Sequence, residues 1–359
     1  MSGIARLIGV LALTFLAACS DRGEPAAAQF SSKSVMAPFE EGGWPEYLRR
    51  LDLKPGKDYV ILAYVPPANP IDLSSPEKAR GTLARLVFDQ LGAMEAGTTI
   101  GHLIVGWQCG GVRGMTSMTG EQDLQGQRMF LTGWGVTPIL STFFDGDIVP
   151  LAEFPEAQNR ALTEGRGVVV ASEVSAARCA AARAEVAEFE THPDAPHENY
   201  SLVLRPDLYE GGGCLSFAMH VAAKAGVMPR LPALVRRDVD LRAVQLGARE
   251  VAPAQVDVYR APGHPEAPVG WLEVLLRRWD EGPVIDTVTV PSGEAIMAAL
   301  VYAGVGVQAK TDPRYSRILS RDDPVIGAAA TYGLQWGYSY PVRRISDPGG
   351  VRAVVLERS

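Results

Sequence analysis

Cys214 has the sequence context of a cysteine nucleophile. It follows Gly211, Gly212 and Gly213 and begins a run in which apolar residues recur at helical spacing. A thiol at a helix N-terminus is stabilised as the thiolate by the helix dipole, and glycines let a backbone or a substrate approach closely. The alternative is a small buried cysteine on a core helix. A second residue, able to take the thiol proton, would separate the two interpretations.

His102 is the candidate for that base. It lies one residue into an otherwise apolar predicted strand, so its side chain is either a hydrogen-bonded structural histidine or a catalytic one. Thiolate catalysis on an amide or ester uses a histidine to take the thiol proton and to protonate the leaving group. His220 follows Cys214 by six residues on the same predicted helix and therefore faces away from the thiol. The other histidines lie beside prolines in predicted loops.

A third polar group usually fixes the orientation of the histidine ring. Gly110 and Gly111 predict a two-residue hairpin turn, which would place His102 opposite Thr119 and diagonal to Glu121. Thr119 is the geometric choice, whereas Glu121 is the better group to stabilise a charged imidazole. A polar edge strand is the alternative for both residues.

The N-terminus predicts export and lipid modification. Residues 1–18 have one arginine and a short apolar run that ends in Leu-Ala-Ala before Cys19, which resembles the lipobox of bacterial lipoproteins. That resemblance implies cleavage before Cys19 and a lipid such as palmitate on its thiol. Ser20, rather than Asp, implies an outer-membrane lipoprotein that faces the periplasm. An ordinary secretory signal peptide is the alternative. Residues 19–43 are predicted to be a flexible tether.

Export makes the remaining cysteines informative. With lipid on Cys19, three thiols enter an oxidising compartment, and an odd number leaves at least one unpaired. Cys109 and Cys179 could form a disulfide that leaves Cys214 free. Three reduced thiols are the alternative.

Composition narrows the class of protein. The 359 residues are 47% hydrophobic and carry a formal net charge of -7. This charge balance gives no indication of a basic surface that would bind nucleic acid. The chain contains no HExxH motif, CxxC pair or histidine cluster, so we expect no metal and no other cofactor.

The predicted elements form an α+β core over residues 44–260. Apolar runs and turn signals predict strands that end in a hairpin around 98–119, further strands over 129–144, and a long helix that begins after Ser175. Residues 261–359 are interpreted as an appended subdomain of unknown role, with completion of the main sheet as the alternative.

This order of elements resembles the circularly permuted branch of the papain-like, NlpC-type cysteine hydrolases, which includes the lecithin–retinol acyltransferase-like proteins. The resemblance covers residues 58–226 and implies an antiparallel sheet or half-barrel packed on the Cys214 helix. It assigns Cys214 as nucleophile, His102 as base, and Thr119 or Glu121 as the orienting group. It also implies that Tyr200 and Gly213 contact substrate, although members often carry Asn at the Gly213 position.

The resemblance requires an insertion at about 120–165, which could form a lid or a substrate wall. The resulting hypothesis is a membrane-tethered cysteine hydrolase or acyltransferase that acts on a cell-wall peptide amide or a lipid acyl group. The second hypothesis is an envelope lipoprotein without enzymatic activity, which uses the same scaffold for binding or assembly.

Overall fold

A seven-stranded sheet runs through the protein in the order β10-β11-β6-β1-β2-β3-β5. The computed structural model describes residues 34–36, 44–88, 98, 100–120, 125–263, 267–306, 313–346 and 352–358. The described strands are β1 (Asp58–Val65), β2 (His102–Cys109), β3 (Val112–Gly120), β4 (Thr142–Phe143), β5 (Gly146–Pro150), β6 (Val168–Val174), β7 (Arg236–Arg242), β8 (Val256–Asp257), β9 (Val284–Pro291), β10 (Val342–Ser346) and β11 (Arg352–Glu357).

Every neighbouring pair in the large sheet is antiparallel except β11 beside β6, so the sheet is mixed and the fold is α+β. The described helices are α1 (Glu46–Arg49), α2 (Pro76–Phe88), α3 (Gln125–Leu131), α4 (Thr137–Leu140), α5 (Glu156–Thr163), α6 (Ala176–Thr191), α7 (Cys214–Lys224), α8 (Leu231–Leu234), α9 (Trp271–Leu276), α10 (Gly293–Val305), α11 (Pro313–Leu319) and α12 (Pro324–Tyr338).

The large sheet is covered on both faces. Leu103 and Val105 of β2 point into a core that contains α6, α7 and α10, whereas Ile104 points into a second core beside α1 and α5. Every residue of β2 is buried as a result. Successive strand residues alternate between the two faces, so a shift of one residue moves a side chain from one core to the other.

The predicted hairpin is present between β2 and β3. Cys109 pairs with Val112, and the register continues to the pair of Val105 with Thr116. Gly110 and Gly111 both have positive φ, 56° and 82°, which is the backbone that a tight two-residue hairpin turn requires.

Two predictions about the later chain are wrong. The segment 129–144 was expected to be β structure, but it contains α4, the end of α3 and only the two-residue strand β4. Residues 261–359 do not form a separate subdomain, because β10 and β11 join the main sheet and β9 pairs with β7. The physical reason is the apolar helix α10, which is buried all round and therefore packs in the core against α12 and the sheet.

Within the described ranges, no helix combines the length and the apolar character that crossing a bilayer requires. The signal peptide, Cys19 and nearly all of the predicted tether lie outside the described residues.

Candidate functional site

Cys214 is the first residue of α7, as the sequence predicts. Gly213 is the N-cap residue, and its backbone N–H donates to Ser216 Oγ over 3.0 Å, which satisfies a donor before the first turn. The helix packs across β2 and β3, so the thiol lies beside the beginning of β2. Its Sγ is 3.8 Å from the carbonyl oxygen of Gly101.

The glycines before Cys214 serve a close approach between two backbone segments. Gly212 lies beside Tyr200 in a parallel bridge, and the Ser201 N–H donates to the Gly212 carbonyl over 2.9 Å. Gly211 has φ +128°, and a Cβ there would be 2.3 Å from the Asn199 carbonyl oxygen. The glycine run therefore fits the segment 199–201 against the N-terminus of α7, where Tyr200 covers the thiol.

The Cys214 thiol is buried and neutral rather than activated. Its exposure is 1%, and burial raises the pKa of the thiol above its ordinary value, although the Leu103 backbone N–H and the Tyr200 hydroxyl act in the opposite direction. The effect of burial on the pKa outweighs that of the hydrogen bonds and of the helix dipole. The expectation of a stabilised thiolate is therefore wrong for this state of the protein.

His102 does not face Cys214. The thiol belongs to the core that contains Leu103 and Val105, whereas the His102 ring contacts Phe154 edge-on in the opposite core, with 6.5 Å between ring centroids. Burial lowers the pKa of His102 to about 4, so the ring is neutral at physiological pH. The predicted pair of Cys214 and His102 is therefore not formed, because the two side chains lie on opposite faces of one sheet.

Thr119 is partly exposed on β3, opposite Asp147 of β5, and its hydroxyl donates to the Gly120 carbonyl over 3.3 Å. Strand alternation places it on the His102 face, away from Cys214. Glu121 lies outside the described residues.

Cys109 and Cys179 are joined in a disulfide, which leaves Cys214 as a free thiol.

A cavity of about 440 Å³ lies next to the Cys214 site. Tyr64 and Tyr200 line it and also interact electrostatically with the Cys214 thiol, and Leu215, the residue after Cys214, lines it too. Segments that are far apart in the sequence build the remaining wall: α2, the loop before it, residues 126–143, the β7–β9 ribbon and the start of α10. Its volume falls in the range typical of small-molecule sites.

Most of the cavity wall is apolar. Most of the inward side chains of α2 and the β7–β9 ribbon are hydrophobic, and Trp279 adds an aromatic surface. Leu131 and Ile139 also line the cavity but are 39% and 44% exposed, so they mark its mouth. An apolar cavity with a partly exposed apolar rim suits a ligand with a large apolar body.

Charged side chains are gathered at one part of this wall. Asp72, Arg237, Glu294 and Asp323 line it, and Arg321 stands behind them. Arg237 forms an ion pair with Asp323, whose other oxygen accepts from the Val325 and Ile326 amides at the start of α12. Burial raises the pKa of Asp323, but these hydrogen bonds prevail and hold it below its ordinary value. Asp323 is thus fully bonded.

Glu294 is bonded at one oxygen only. Its Oε2 accepts from Arg321 Nη1, while its Oε1 is buried and has no hydrogen-bond partner among the described residues. The residue is 4% exposed, and burial raises the pKa of the carboxyl to about 7 against the lowering effect of Arg321. Sequence reasoning missed this residue, because an acid at the second position of a helix is ordinarily a solvated capping group.

The described part of the chain holds no group of three or more His, Cys, Asp or Glu side chains arranged to bind a metal ion. Comparisons with family models, with curated protein sequences and with solved structures found no match for this chain.

Proposed function

We propose that this protein binds a small apolar molecule or a single lipid chain in the cavity beside Cys214. The observation that carries the proposal is a cavity of about 440 Å³ with a mostly apolar wall, beside a buried, neutral thiol. Removing apolar ligand surface from water supplies about 25 cal/mol per Å², which is enough for binding without any covalent step. This proposal corresponds to the second hypothesis, an envelope lipoprotein that binds a ligand without enzymatic activity, and it adds a specific site.

The predicted lipid on Cys19 would hold this cavity close to a membrane, which is the largest source of apolar ligands in a cell envelope. Lipid modification and the outer-membrane address remain part of the proposal. Replacement of Cys19 by Ser should release the protein from the membrane fraction and abolish incorporation of labelled palmitate. Retention of both after that substitution would refute the anchor.

Filling the cavity tests the binding proposal. Val288 lies on the cavity side of β9, opposite Val239 of β7. Val288→Trp would project an indole into the cavity, and we expect affinity for a neutral dye such as Nile red to fall at least about tenfold, or ~1.4 kcal/mol. Fluorescence titration measures the affinity.

Thr287→Trp is the matched control. Thr287 is the neighbouring residue on the same strand, is exposed on the opposite face, and donates to Asp240 over 2.9 Å. The two variants add the same aromatic group to the same ribbon. Equal dye binding by both variants, or no saturable binding by the wild type, would contradict the proposal.

A cysteine hydrolase or acyltransferase of the permuted papain-like class is the second candidate. The position of Cys214 at the start of α7, beside Tyr64 and Tyr200 of the apolar cavity wall, favours it. The thiol would need access through these side chains and a base other than His102. An acyl or peptide ligand in the cavity would then lie within a short movement of the nucleophile.

Alkylation separates the two candidates. An activated Cys214 thiolate would react with iodoacetamide at neutral pH faster than a model thiol, and Cys214→Ser would abolish any turnover. From the raised pKa and the burial, we expect native Cys214 to react far more slowly than the same residue after unfolding in urea. Mass spectrometry of the labelled protein gives both rates, and fast native labelling would support the hydrolase.

A further inference from the structure

Glu294 lines the cavity with a carboxyl group that is hydrogen-bonded at one oxygen only. Its Oε1 is buried and unpaired among the described residues, and Glu294 lines the cavity. The Ile71 backbone N–H lies near this carboxyl and lowers its pKa. It does not form a hydrogen bond of normal geometry with Oε1. Buried polar atoms in folded proteins are nearly always bonded, because an unpaired one loses its hydration without compensation. A ligand that donates a hydrogen bond would complete this group.

The charged side chains near Glu294 form ion pairs with one another. Arg321 serves both Glu294 and Asp72, with 3.5 Å between Arg321 Nη1 and Asp72 Oδ2. Lys78 is the other cation near Asp72, at 3.7 Å, but its side chain is 57% exposed. The guanidinium that lines the cavity itself, Arg237, forms an ion pair with Asp323. Glu294 therefore shares its one cation with a second carboxylate.

The remaining group that faces Glu294 is a hydroxyl. Tyr64 reaches Glu294 from β1, and its pKa is raised by burial first and by the nearby carboxyl second. The Tyr64 hydroxyl fits between Gly101 and Gly293, where a Cβ would lie 2.5 Å or 2.7 Å from its oxygen. No element packed around Glu294 in the described structure thus brings it a cation of its own.

We infer that the ligand of this cavity is an amphiphile whose protonated amine donates to Glu294 Oε1, while its apolar body occupies the wall formed by α2 and the β7–β9 ribbon. This inference rests on the proposed binding function and specifies the head group. An anionic head would bring another negative charge beside Asp72, Glu294 and Asp323. A charged donor to a carboxylate also forms a stronger hydrogen bond than a neutral hydroxyl does.

Three ligands of one chain length test the head group: decylamine, decanol and decanoate, titrated calorimetrically into the full chain below their micellar concentrations. We expect decylamine to bind about tenfold or more tighter than decanol, and decanoate to bind weakest. If none of the three binds, the proposed cavity function fails. If decanol binds and decylamine is no tighter, only the amine inference fails.

Glu294→Gln isolates the carboxylate. The variant keeps the shape of the side chain and should lose about tenfold in decylamine affinity while decanol affinity stays unchanged. Glu164→Gln, at an exposed position beside α5, is the control and should change neither. Loss of affinity for both ligands in Glu294→Gln would indicate a damaged cavity, the effect that Val288→Trp is designed to produce, and would count against a specific role of the carboxylate. Unchanged decylamine affinity would overturn the inference.

The pH dependence supplies an independent readout. An alkylamine with a pKa of roughly 10 stays protonated from about pH 6 to about pH 8, so only the protein titrates in that interval. Decylamine affinity should rise with pH through about 7, where Glu294 ionises, and the rise should be absent in Glu294→Gln. A flat profile in the wild type would contradict ion pairing with Glu294.

Discussion

Burial sets the protonation state of the most informative residues. Cys214 and Glu294 both lie in the first turn of a helix, where the dipole favours an anion, yet burial raises the pKa of each. Burial also favours the neutral form of His102, a base, by lowering its pKa to about 4. The three groups are therefore neutral or nearly so around pH 6, despite sequence contexts that suggest charge.

Glu294 predicts how stability depends on pH. Its folded pKa of about 7 exceeds an unfolded value of roughly 4.3, so the folded state favours the protonated form. That contribution is fully present below the unfolded pKa and is lost as the pH rises from there through about 7, in total up to about 4 kcal/mol. We expect the melting temperature of ligand-free wild type to fall between about pH 5 and about pH 7 and to level off above that.

The comparison is with Glu294→Gln, whose side chain cannot ionise. Its melting temperature should fall less over the same interval, as measured by thermal denaturation in matched buffers. The difference between the two slopes is the decisive quantity, because the substitution also alters the contact with Arg321. Parallel slopes would mean that another group accounts for the pH dependence.

At the scale of elements, α10 and α12 pack unusually closely. A Cβ on Gly333 would lie 2.0 Å from the Ala299 carbonyl oxygen, and one on Gly337 would lie 2.3 Å from that of Ala303. The two glycines are one turn apart on α12 and form the contact surface with α10. This contact holds α10, and with it Glu294 at its N-terminus, against the sheet.

Gly333→Ala should therefore destabilise the protein by roughly 1–3 kcal/mol, because the added methyl group forces the helices apart. Gly327→Ala on the same helix is the matched control, since a Cβ there meets no atom within 4 Å. That variant should gain up to about 1 kcal/mol from helix propensity. Urea denaturation of both measures the difference, and equal effects would contradict the close packing.

At the scale of the whole molecule, one disulfide connects the sheet to the helical layer. Cys109 ends β2 and Cys179 lies in the first turns of α6, with a sequence separation of 70. A cross-link over such a long loop restricts the unfolded chain, which the chain-entropy description values at roughly 4 kcal/mol.

Replacement of both residues, Cys109→Ala with Cys179→Ala, should lower the free energy of unfolding by roughly that amount. Reduction with dithiothreitol should destabilise the wild type similarly and leave the double variant unchanged. Urea denaturation under both conditions provides the measurement. A double variant as stable as the oxidised wild type would show that the bond contributes little.

The sequence by itself determined the features that depend on neighbouring residues. Gly110 and Gly111 predict the hairpin and its register because only glycine readily takes two successive positive φ angles. Ser175 and Ser292 predict helix starts because their side chains accept from the first turns, as both do here. The three glycines before Cys214 and the helical spacing of the apolar residues after it likewise predict the start of α7.

Only the tertiary structure decided which side chains meet. β2 is buried along its whole length, so its sequence has no polar alternation to show whether His102 or Leu103 faces α7. The cavity is likewise invisible in the sequence, because its wall combines segments from residue 64 to residue 323. Glu294 becomes unusual only when those segments enclose it, since burial, and not its residue type, leaves its oxygen unpaired.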